Sequence, residues 1–331
     1  MGISLLSTGS YLPQREVRNS DLSQFPRAAL SLIEQKTGIR SRRYAAEGES
    51  TSDLAAHAAR AALAKAAVDP QQLDAIIVAT SSPDRIQPAT ATRVQSLLGA
   101  RSAFAFDINS VCSGAVYGIA VAGGLLYAGT ARTALVVAAE VYSRILNPKD
   151  FSTAPYFGDG AGALILRSGE HDQILSTVLG TDGSGCDIIQ VPGGGSVLPF
   201  NKLRDKRDQY FTMRGKEVFA FAVEKGTEII LEALKRAQLK TSSLSWVVAH
   251  QANINIIREL AVRTGIPFEK FFTNLHKYGN TAAASVLISL DELLVSGTTQ
   301  TGDSVVLCAF GGGLSWGATV LRLQSKNFSY G

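Results

Sequence analysis

The first residue with the type and position for covalent chemistry is Cys112. It lies in DINSVCSGAVYGIAVAGG, where a strand-like run is followed by a helix-like run, so the sequence predicts a strand-to-helix turn at the thiol. The free N–H groups at the start of such a helix face the sulfur, and we expect the helix dipole to lower the thiol pKa and activate the thiolate. The alternative for a single cysteine is a buried, inert side chain.

A histidine and an asparagine are the candidate partners of this thiol. His250 ends the strand-like run WVVAH, and ligands of α/β proteins bind at the carboxyl ends of strands. The alternative is a histidine whose ring is satisfied by neighbouring backbone. Asn280, in KYGNTAAAS, precedes an Ala-rich helical run, where its alternative role is that of a helix cap or turn residue.

The other cysteines and the glycine-rich segments carry weaker signals. Cys186 in a glycine-rich loop and Cys308 in an apolar strand are predicted to be structural. The GDGAGA segment, Gly158–Ala163, partly matches a dinucleotide fingerprint, but a strand-like run follows it instead of a helix, which disfavours nucleotide binding. The AFGGGLSWGA segment, Ala309–Ala318, provides either a tight turn or backbone donors for a developing oxyanion.

The elements that must position these residues alternate along the chain. Short runs rich in Val, Ile and Ala predict buried strands at Leu73–Thr80, Ser102–Asn109, Thr133–Glu140, Ser245–His250 and Asp303–Phe310. Helical patterns lie between them, at Asp53–Ala67, Ala89–Leu98, Ser113–Ala128, Glu217–Ala237, Ile254–Thr264 and Thr281–Leu294. This alternation predicts an α/β fold with mostly parallel sheets.

The chain also repeats itself once, which predicts a duplicated fold. Apolar positions recur 171 residues apart, with Leu63, Ala66, Leu73, Ile76 and Ile77 matched by Leu234, Ala237, Leu244, Val247 and Val248. Two glycines recur at offsets of 166 and 168, Gly99 with Gly265 and Gly129 with Gly297. We therefore predict two halves, residues 1–170 and 171–331, with the nucleophile in the first and the His and Asn in the second. In such a fold Cys112 and Asn280 occupy related places, with His250 nearby.

Composition excludes several classes of protein. Hydrophobic residues make up 46% of the 331 residues and charged residues 18%, which excludes intrinsic disorder. The net charge of +4 is too small and too scattered for a nucleic-acid binder. Three cysteines in a long chain exclude a disulfide scaffold and favour a reducing compartment. With neither a signal peptide nor an apolar run of membrane-spanning length, the sequence predicts a cytoplasmic protein without a membrane partner.

Four motifs in this order carry a family resemblance. Cys112 in VCSGAVYGI, His250 in HQAN, Asn280 in YGNTAAAS and the terminal AFGGGLSWGA together resemble a β-ketoacyl-acyl carrier protein synthase III of the thiolase superfamily. The resemblance extends from KTGIRSRR at 36–43 to the last strand-like run. It implies the thiolase fold, a five-layered αβαβα arrangement built from two duplicated halves, and a homodimer.

The resemblance also implies a reaction and its residues. Cys112 would be acylated by an acyl-CoA, with the backbone N–H groups of Cys112 and Gly312 forming the oxyanion hole. A malonyl thioester would then lose CO₂ while His250 and Asn280 bind its carbonyl oxygen, and the carbanion would form a 3-oxoacyl product. Phe310 would form the wall that crowds the malonyl carboxylate. This chemistry requires no metal or prosthetic group.

Several positions depart from the family pattern and favour a specialised member, serving secondary metabolism. Leu32 and Phe151 stand where the family commonly stacks the CoA adenine, and Asn255 replaces an arginine that helps to dock acyl carrier protein. The segment 196–216, with six basic and two acidic residues, is either a solvated loop or a docking site for an acidic partner or phosphate. The remaining candidate contacts to CoA or carrier protein are Lys36, Arg258 and Asn253.

Three other functions stay open from the sequence. A related acyltransferase or ketosynthase would pass the acyl group to a β-keto, aromatic, oxygen, nitrogen or sulfur acceptor. A degradative thiolase is disfavoured because its second catalytic cysteine has no equivalent, Cys308 lying within a strand. An inactive partner subunit of a heterodimeric synthase is disfavoured because Cys112, His250 and Asn280 are all present.

Overall fold

Two β-sheets carry the fold, which we describe from a computed structural model over residues 2–324. The strands are β1 (Gly2–Tyr11), β2 (Arg15–Arg18), β3 (Ser41–Tyr44), β4 (Ala75–Ala79), β5 (Phe104–Ile108), β6 (Thr133–Glu140), β7 (Gly160–Gly169), β8 (Ile174–Thr181), β9 (Ile189–Gln190), β10 (Thr212–Met213), β11 (Trp246–Ala249), β12 (Ser304–Gly311) and β13 (Ser315–Arg322). The helices are α1 (Arg27–Thr37), α2 (Thr51–Ala66), α3 (Thr90–Leu98), α4 (Gly114–Tyr127), α5 (Gly215–Arg236), α6 (Ile254–Thr264), α7 (Leu275–Tyr278) and α8 (Ala284–Val295).

The predicted elements are all present, with ends displaced by at most three residues. Local cap chemistry explains one displacement, at the start of α2. The Ser50 backbone N–H donates to Asp53 Oδ2 at 2.9 Å, which caps the helix and starts it at Thr51, two residues before the predicted Asp53. The helix predicted at Ser113–Ala128 forms α4, an apolar helix that packs in the core between the sheets, with Val121 and Tyr127 exposed.

The sheets are mixed, so the prediction of mostly parallel sheets is wrong. The first sheet has the order β1-β7-β6-β4-β5 and the second the order β8-β13-β12-β11. Pairs β4/β5, β4/β6 and β11/β12 are parallel, whereas β1/β7, β6/β7, β12/β13 and β13/β8 are antiparallel. The β12/β13 pair is antiparallel because the link between its strands is short, whereas a parallel crossover needs about a dozen residues.

The second sheet repeats the topology of the first. Strands β1, β4, β6 and β7 correspond to β8, β11, β12 and β13, and Phe271, in a single parallel bridge beside β11, takes the place of β5. The glycine pairs found in the sequence have matching conformations. Gly99 and Gly265 end α3 and α6 with φ of +71° and +68°, and Gly129 and Gly297 follow α4 and α8 with φ of +71° and +73°. The division at residues 170/171 stays a prediction.

Five layers result from burying both faces of both sheets. Helices α2 and α3 cover the outer face of the first sheet, α4 and α8 lie between the sheets, and α5 and α6 cover the outer face of the second. Strand periodicity distributes neighbouring residues between layers: Ile77 packs in the central layer and Ile76 in the outer one. Among residues 2–324, no helix combines the length and apolar character needed to cross a bilayer.

Candidate active site

Cys112 lies in a single 3₁₀ turn, Val111–Ser113, between β5 and α4. Val111 has φ of +45°, a conformation that β-branched residues rarely adopt, and such strain persists where the surrounding structure imposes it. The turn is tied to β13 because Ser113 Oγ lies 2.8 Å from Ser315 Oγ. The strand-to-helix turn expected from the sequence is therefore present, and it places the thiol immediately before α4.

The glycine segment after β12 packs directly against this turn. A Cβ on Gly311 would lie 2.7 Å from the backbone N of Cys112, so only glycine permits this approach. A Cβ on the next residue, Gly312, would lie 3.2 Å from a methyl carbon of Val111. Gly311 lines the cavity described next, whereas Gly312 lies in the turn beside it.

One cavity of about 500 Å³ brings the candidate catalytic residues together. Its wall includes Cys112, His250 and Asn280, which are 138 and 168 positions from the thiol in the sequence. The remaining wall is mostly apolar, and its aromatic and aliphatic members include Phe157, Ile189, Phe211, Met213, Phe221 and Phe310. A thioester bound here would meet the three polar side chains in a water-poor environment, where hydrogen bonds to a developing charge are strong.

His250 follows β11 directly and is fully buried. Its Nδ1 lies 2.7 Å from Ser285 Oγ on α8, and its ring packs edge-on against Phe310 with centroids 5.6 Å apart. Burial lowers the pKa of His250 to about 3, so the imidazole is neutral at physiological pH. With Nδ1 engaged by Ser285, Nε2 is the ring nitrogen left for a ligand.

Asn280 is held by its backbone and by its own side chain. Its N–H donates to the Tyr156 carbonyl at 2.8 Å, and its carbonyl accepts from the Gly158 N–H at 3.0 Å. Its Oδ1 accepts from the Ala282 N–H at 2.9 Å, which leaves Nδ2 as the donor of the carboxamide. Asn280 therefore has the turn role considered from the sequence and also lines the cavity wall.

The prediction of a lowered thiol pKa is wrong. Burial raises the pKa of Cys112 above its ordinary value, and the negative charge of Glu140 raises it further. Desolvation outweighs the backbone hydrogen bond at Cys112, which lowers the pKa, because the thiolate would lose most of its hydration. Cys308 is buried within β12, with its pKa raised to about 12 by burial, and Cys186 is exposed.

Glu140 was not among the residues predicted from the sequence, yet its charge acts on the Cys112 thiol. Its carboxylate accepts hydrogen bonds from the backbone and hydroxyls of Ser81 and Ser82, with Ser81 Oγ at 2.9 Å and Thr80 Oγ1 at 3.3 Å. Burial raises the pKa of Glu140 to about 7. The available signal was a carboxylate at the end of the otherwise apolar run TALVVAAE. Ser285, the partner of His250, had no such signal.

Some of the candidate contacts to CoA or carrier protein line the cavity and others do not. Lys36, which is exposed, and Asn253, which is half-buried, both line the cavity. Asn253 also caps α6, since its Oδ1 accepts from the Asn255 N–H at 2.9 Å. Arg258 is exposed on α6 but is not part of the cavity wall. From the basic segment 196–216, Lys216 reaches the cavity at the start of α5.

Comparison with known proteins assigns the family. Models described as 3-oxoacyl-[acyl-carrier-protein] synthase III match residues 106–183, and those of its C-terminal part match residues 234–323. The chain is 46% identical over 321 residues to β-ketoacyl-[acyl-carrier-protein] synthase III 3 of Streptomyces coelicolor, covering 96% of each chain. This protein belongs to the 3-oxoacyl-[acyl-carrier-protein] synthase III family. It is therefore an acyltransferase, of the class whose members catalyse a Claisen condensation.

Solved structures of synthase III proteins confirm the fold. The enzyme of Aquifex aeolicus superimposes with a TM-score of 0.89 at 38% identity, covering 97% of this chain and 100% of the other. The priming β-ketosynthase of the R1128 polyketide pathway superimposes with a TM-score of 0.90 at 33% identity, covering 98% and 96%. The five layers of this synthase are thus those of the thiolase fold, as the motifs implied.

Proposed function

We propose that this synthase transfers an acyl group from acyl-CoA to Cys112 and then condenses it with a malonyl thioester, releasing CO₂ and a 3-oxoacyl thioester. The observation that supports this proposal is the meeting of Cys112, His250 and Asn280 in one apolar cavity. A nucleophile and two neutral hydrogen-bond donors match a reaction with a covalent intermediate and an enolate.

The first half-reaction forms a thioester at Cys112. Its Sγ attacks the acyl carbonyl, the sulfur–carbon bond to CoA breaks, and the thiol proton leaves with free CoA. The oxyanion of the tetrahedral intermediate accepts from the backbone N–H groups of Cys112 and Gly312. The close packing of the glycine turn on Cys112 supports this arrangement, because both N–H groups belong to segments held in place before substrate binds.

The second half-reaction generates a carbanion, which attacks the acyl carbonyl. The new carbon–carbon bond forms as the thioester bond to Cys112 breaks, and the released thiolate takes up a proton from water. The malonyl carbonyl oxygen accepts from His250 Nε2 and Asn280 Nδ2, which stabilise the enolate as the carboxylate leaves as CO₂. Ser285 Oγ accepts from the Gln251 N–H and lies 2.7 Å from Nδ1; when its own hydroxyl donates to Nδ1, the proton of the neutral ring resides on Nε2. Phe310 lies edge-on to His250 and gives the leaving carboxylate an apolar neighbour, which favours neutral CO₂.

We infer a specialised or secondary-metabolic role for this member of the family. Its similarity to a priming β-ketosynthase of a polyketide pathway supports that role. The role is also supported by three positions at which the chain departs from the family pattern, namely Leu32, Phe151 and Asn255. Leu32 is exposed on α1, Phe151 packs edge-on against Phe25 at 5.1 Å, and Asn255 donates to the Lys36 carbonyl at 2.8 Å. Acyl-CoA and a malonyl thioester, on carrier protein or CoA, are the proposed substrates.

We also propose a homodimer formed through β5. This strand is the edge of the first sheet, and its Phe104 and Phe106 rings lie parallel with centroids 6.4 Å apart. Phe104 is 40% exposed, and an exposed apolar edge strand is a site for pairing with a second chain. Light scattering should give a dimer mass for the wild type and a monomer mass for Phe104→Asp; a wild-type monomer would contradict the proposal.

One experiment tests the catalytic proposal. The purified protein is incubated with a panel of acyl-CoAs, its intact mass is measured, and CO₂ release is then followed on adding a malonyl thioester. We expect an acyl adduct in the wild type and in Cys186→Ala, the exposed-cysteine control, and none in Cys112→Ala. An adduct without malonyl decarboxylation would instead indicate a different acceptor, and full turnover by Cys112→Ala would overturn the assignment of the nucleophile.

A further inference from the structure

We infer that Arg42, which lies outside the cavity wall, is a positioning residue that sets the place of Asn280 for the decarboxylation step. The inference rests on the proposed function and concerns the second half-reaction alone. It follows from three observations: the burial of Arg42, the acceptors of its guanidinium, and the hydrogen bonds that connect one of those acceptors to Asn280.

Arg42 on β3 is completely buried. Its Nη1 donates to the Val17 carbonyl at 3.1 Å, and its Nη2 donates to Asn19 Oδ1 at 2.7 Å and to the Pro155 carbonyl at 2.5 Å. These acceptors are neutral, so the group is a buried cation without a carboxylate in hydrogen-bond contact. Burial lowers the pKa of Arg42 to about 10, which leaves it charged at neutral pH. A cation buried in this way is costly, and hydrophobic residues of similar volume would pack as well.

Pro155 directly precedes the segment that is hydrogen-bonded to Asn280. The next residue, Tyr156, accepts the Asn280 N–H at 2.8 Å, and Gly158 donates to the Asn280 carbonyl at 3.0 Å. Phe157 lies between them and forms a parallel bridge with Asn280. Arg42 therefore holds the beginning of the segment to which both backbone groups of Asn280 are bonded.

The aliphatic part of Arg42 supports the same place from below. A Cβ on Gly158 would lie 3.0 Å from the Arg42 Cβ, and a Cβ on Gly279 would lie 3.4 Å from it. The two glycines flank the bridge, one on each chain segment. The Arg42 Cβ thus lies close to both sides of the Phe157–Asn280 bridge, a contact that Arg42→Gln keeps while it loses the guanidinium bond to Pro155.

The position of Asn280 matters for only one half-reaction. Its Nδ2 must reach the enolate oxygen, and misplacing a catalytic group by about 1 Å costs on the order of a hundredfold in rate. Acylation of Cys112 uses the backbone N–H groups of another segment. Loss of the Arg42 contacts should therefore slow malonyl decarboxylation and leave acylation nearly unchanged.

The test compares Arg42→Gln with Arg43→Gln. The control arginine is the next residue on β3, and its guanidinium donates to the Gln14 carbonyl at 3.0 Å, away from the 155–158 segment. Acylation is measured by intact mass after mixing with acyl-CoA, and decarboxylation by CO₂ release from the acylated enzyme. We expect Arg42→Gln to lose about tenfold or more in decarboxylation and less than about threefold in acylation, while Arg43→Gln retains both.

A double-mutant cycle separates positioning from general structural damage. If Arg42 acts through Asn280, Arg42→Gln should slow decarboxylation little in an Asn280→Ala background. An undiminished effect there, or equal losses in both half-reactions of Arg42→Gln, would overturn the inference. Should Arg42→Gln fail to fold, Asn19→Ala is the second variant, because it removes one acceptor of the guanidinium. It should also slow decarboxylation more than acylation, by a smaller factor than Arg42→Gln. A wild type that neither acylates nor decarboxylates would instead refute the proposed function.

Discussion

The Nδ1 atom of His250 lies 2.7 Å from Ser285 Oγ, a bond between the end of β11 and the first turn of α8. We expect this contact to orient the ring and, when the Ser285 hydroxyl donates to Nδ1, to leave the Nε2 proton for the substrate carbonyl. Ser285→Ala should therefore lower the rate of malonyl decarboxylation by about tenfold, with little effect on Cys112 acylation. The measurement is CO₂ release by the acylated enzyme.

The matched control for that variant is Ser289→Ala. Ser289 is buried one turn further along α8, where its hydroxyl donates to Asn274 Oδ1 at 2.9 Å. It should keep the wild-type decarboxylation rate even if the melting temperature falls. Similar rates for the two variants would contradict an orienting role for Ser285.

Gly311→Ala should slow the acylation of Cys112. The added Cβ would lie 2.7 Å from the Cys112 backbone N and 3.0 Å from its Cβ, so the nucleophile turn must shift. We expect a loss on the order of a hundredfold in the rate of adduct formation, followed by intact-mass kinetics. Gly183→Ala is the control, because an added Cβ there meets no described atom within 4 Å. Wild-type acylation by Gly311→Ala would show that the turn tolerates displacement.

Tyr142 should limit the length of the acyl group. Its ring stacks on Phe157 with centroids 5.0 Å apart and lies edge-on to Phe211 at 5.4 Å, in the apolar cluster that includes Cys112. Its hydroxyl lies 2.9 Å from Ser81 Oγ, which holds the ring in place. Tyr142→Ala should accept longer acyl-CoAs than the wild type, at a stability cost of about 3–5 kcal/mol.

The control at the same position is Tyr142→Phe, which removes only the hydroxyl. It should keep the wild-type preference across a panel of straight-chain acyl-CoAs, measured by adduct mass. An unchanged length preference in Tyr142→Ala would mean that the acyl group lies elsewhere in the cavity.

The neutral state of His250 predicts a pH profile. Burial lowers its pKa to about 3, whereas an unfolded histidine titrates near pH 6.5, so the folded state binds fewer protons between these values. The contribution of His250 to the free energy of unfolding therefore rises from about pH 3 to pH 6.5 and is complete above it. NMR signals of the labelled imidazole should stay unchanged from pH 8 to 5 in the folded protein and shift in urea-unfolded protein. Titration near pH 6.5 in the folded protein would contradict this.

Local patterns in the sequence were sufficient for five central strands and six helices and for the positions of Cys112 and His250 at their ends, whereas Asn280 was placed in the site by the repeat and the family motifs. Strand and helix periods, together with glycines that end helices, depend on a few neighbouring residues. They placed Cys112 before α4 and His250 after β11 without a structure. The family motifs supplied the roles proposed for these residues, and those roles stay predictions until the half-reactions are measured.

The partners of these residues were decided only by the tertiary structure. Ser285 is 35 positions from His250, and the Arg42 guanidinium contacts Pro155, 113 positions away, so no local pattern links either pair. The direction of the Cys112 pKa shift was likewise set by burial, which a helix N-terminus in the sequence does not reveal. Local conformation is determined by adjacent residues, whereas desolvation and side-chain partners arise only when distant segments pack together.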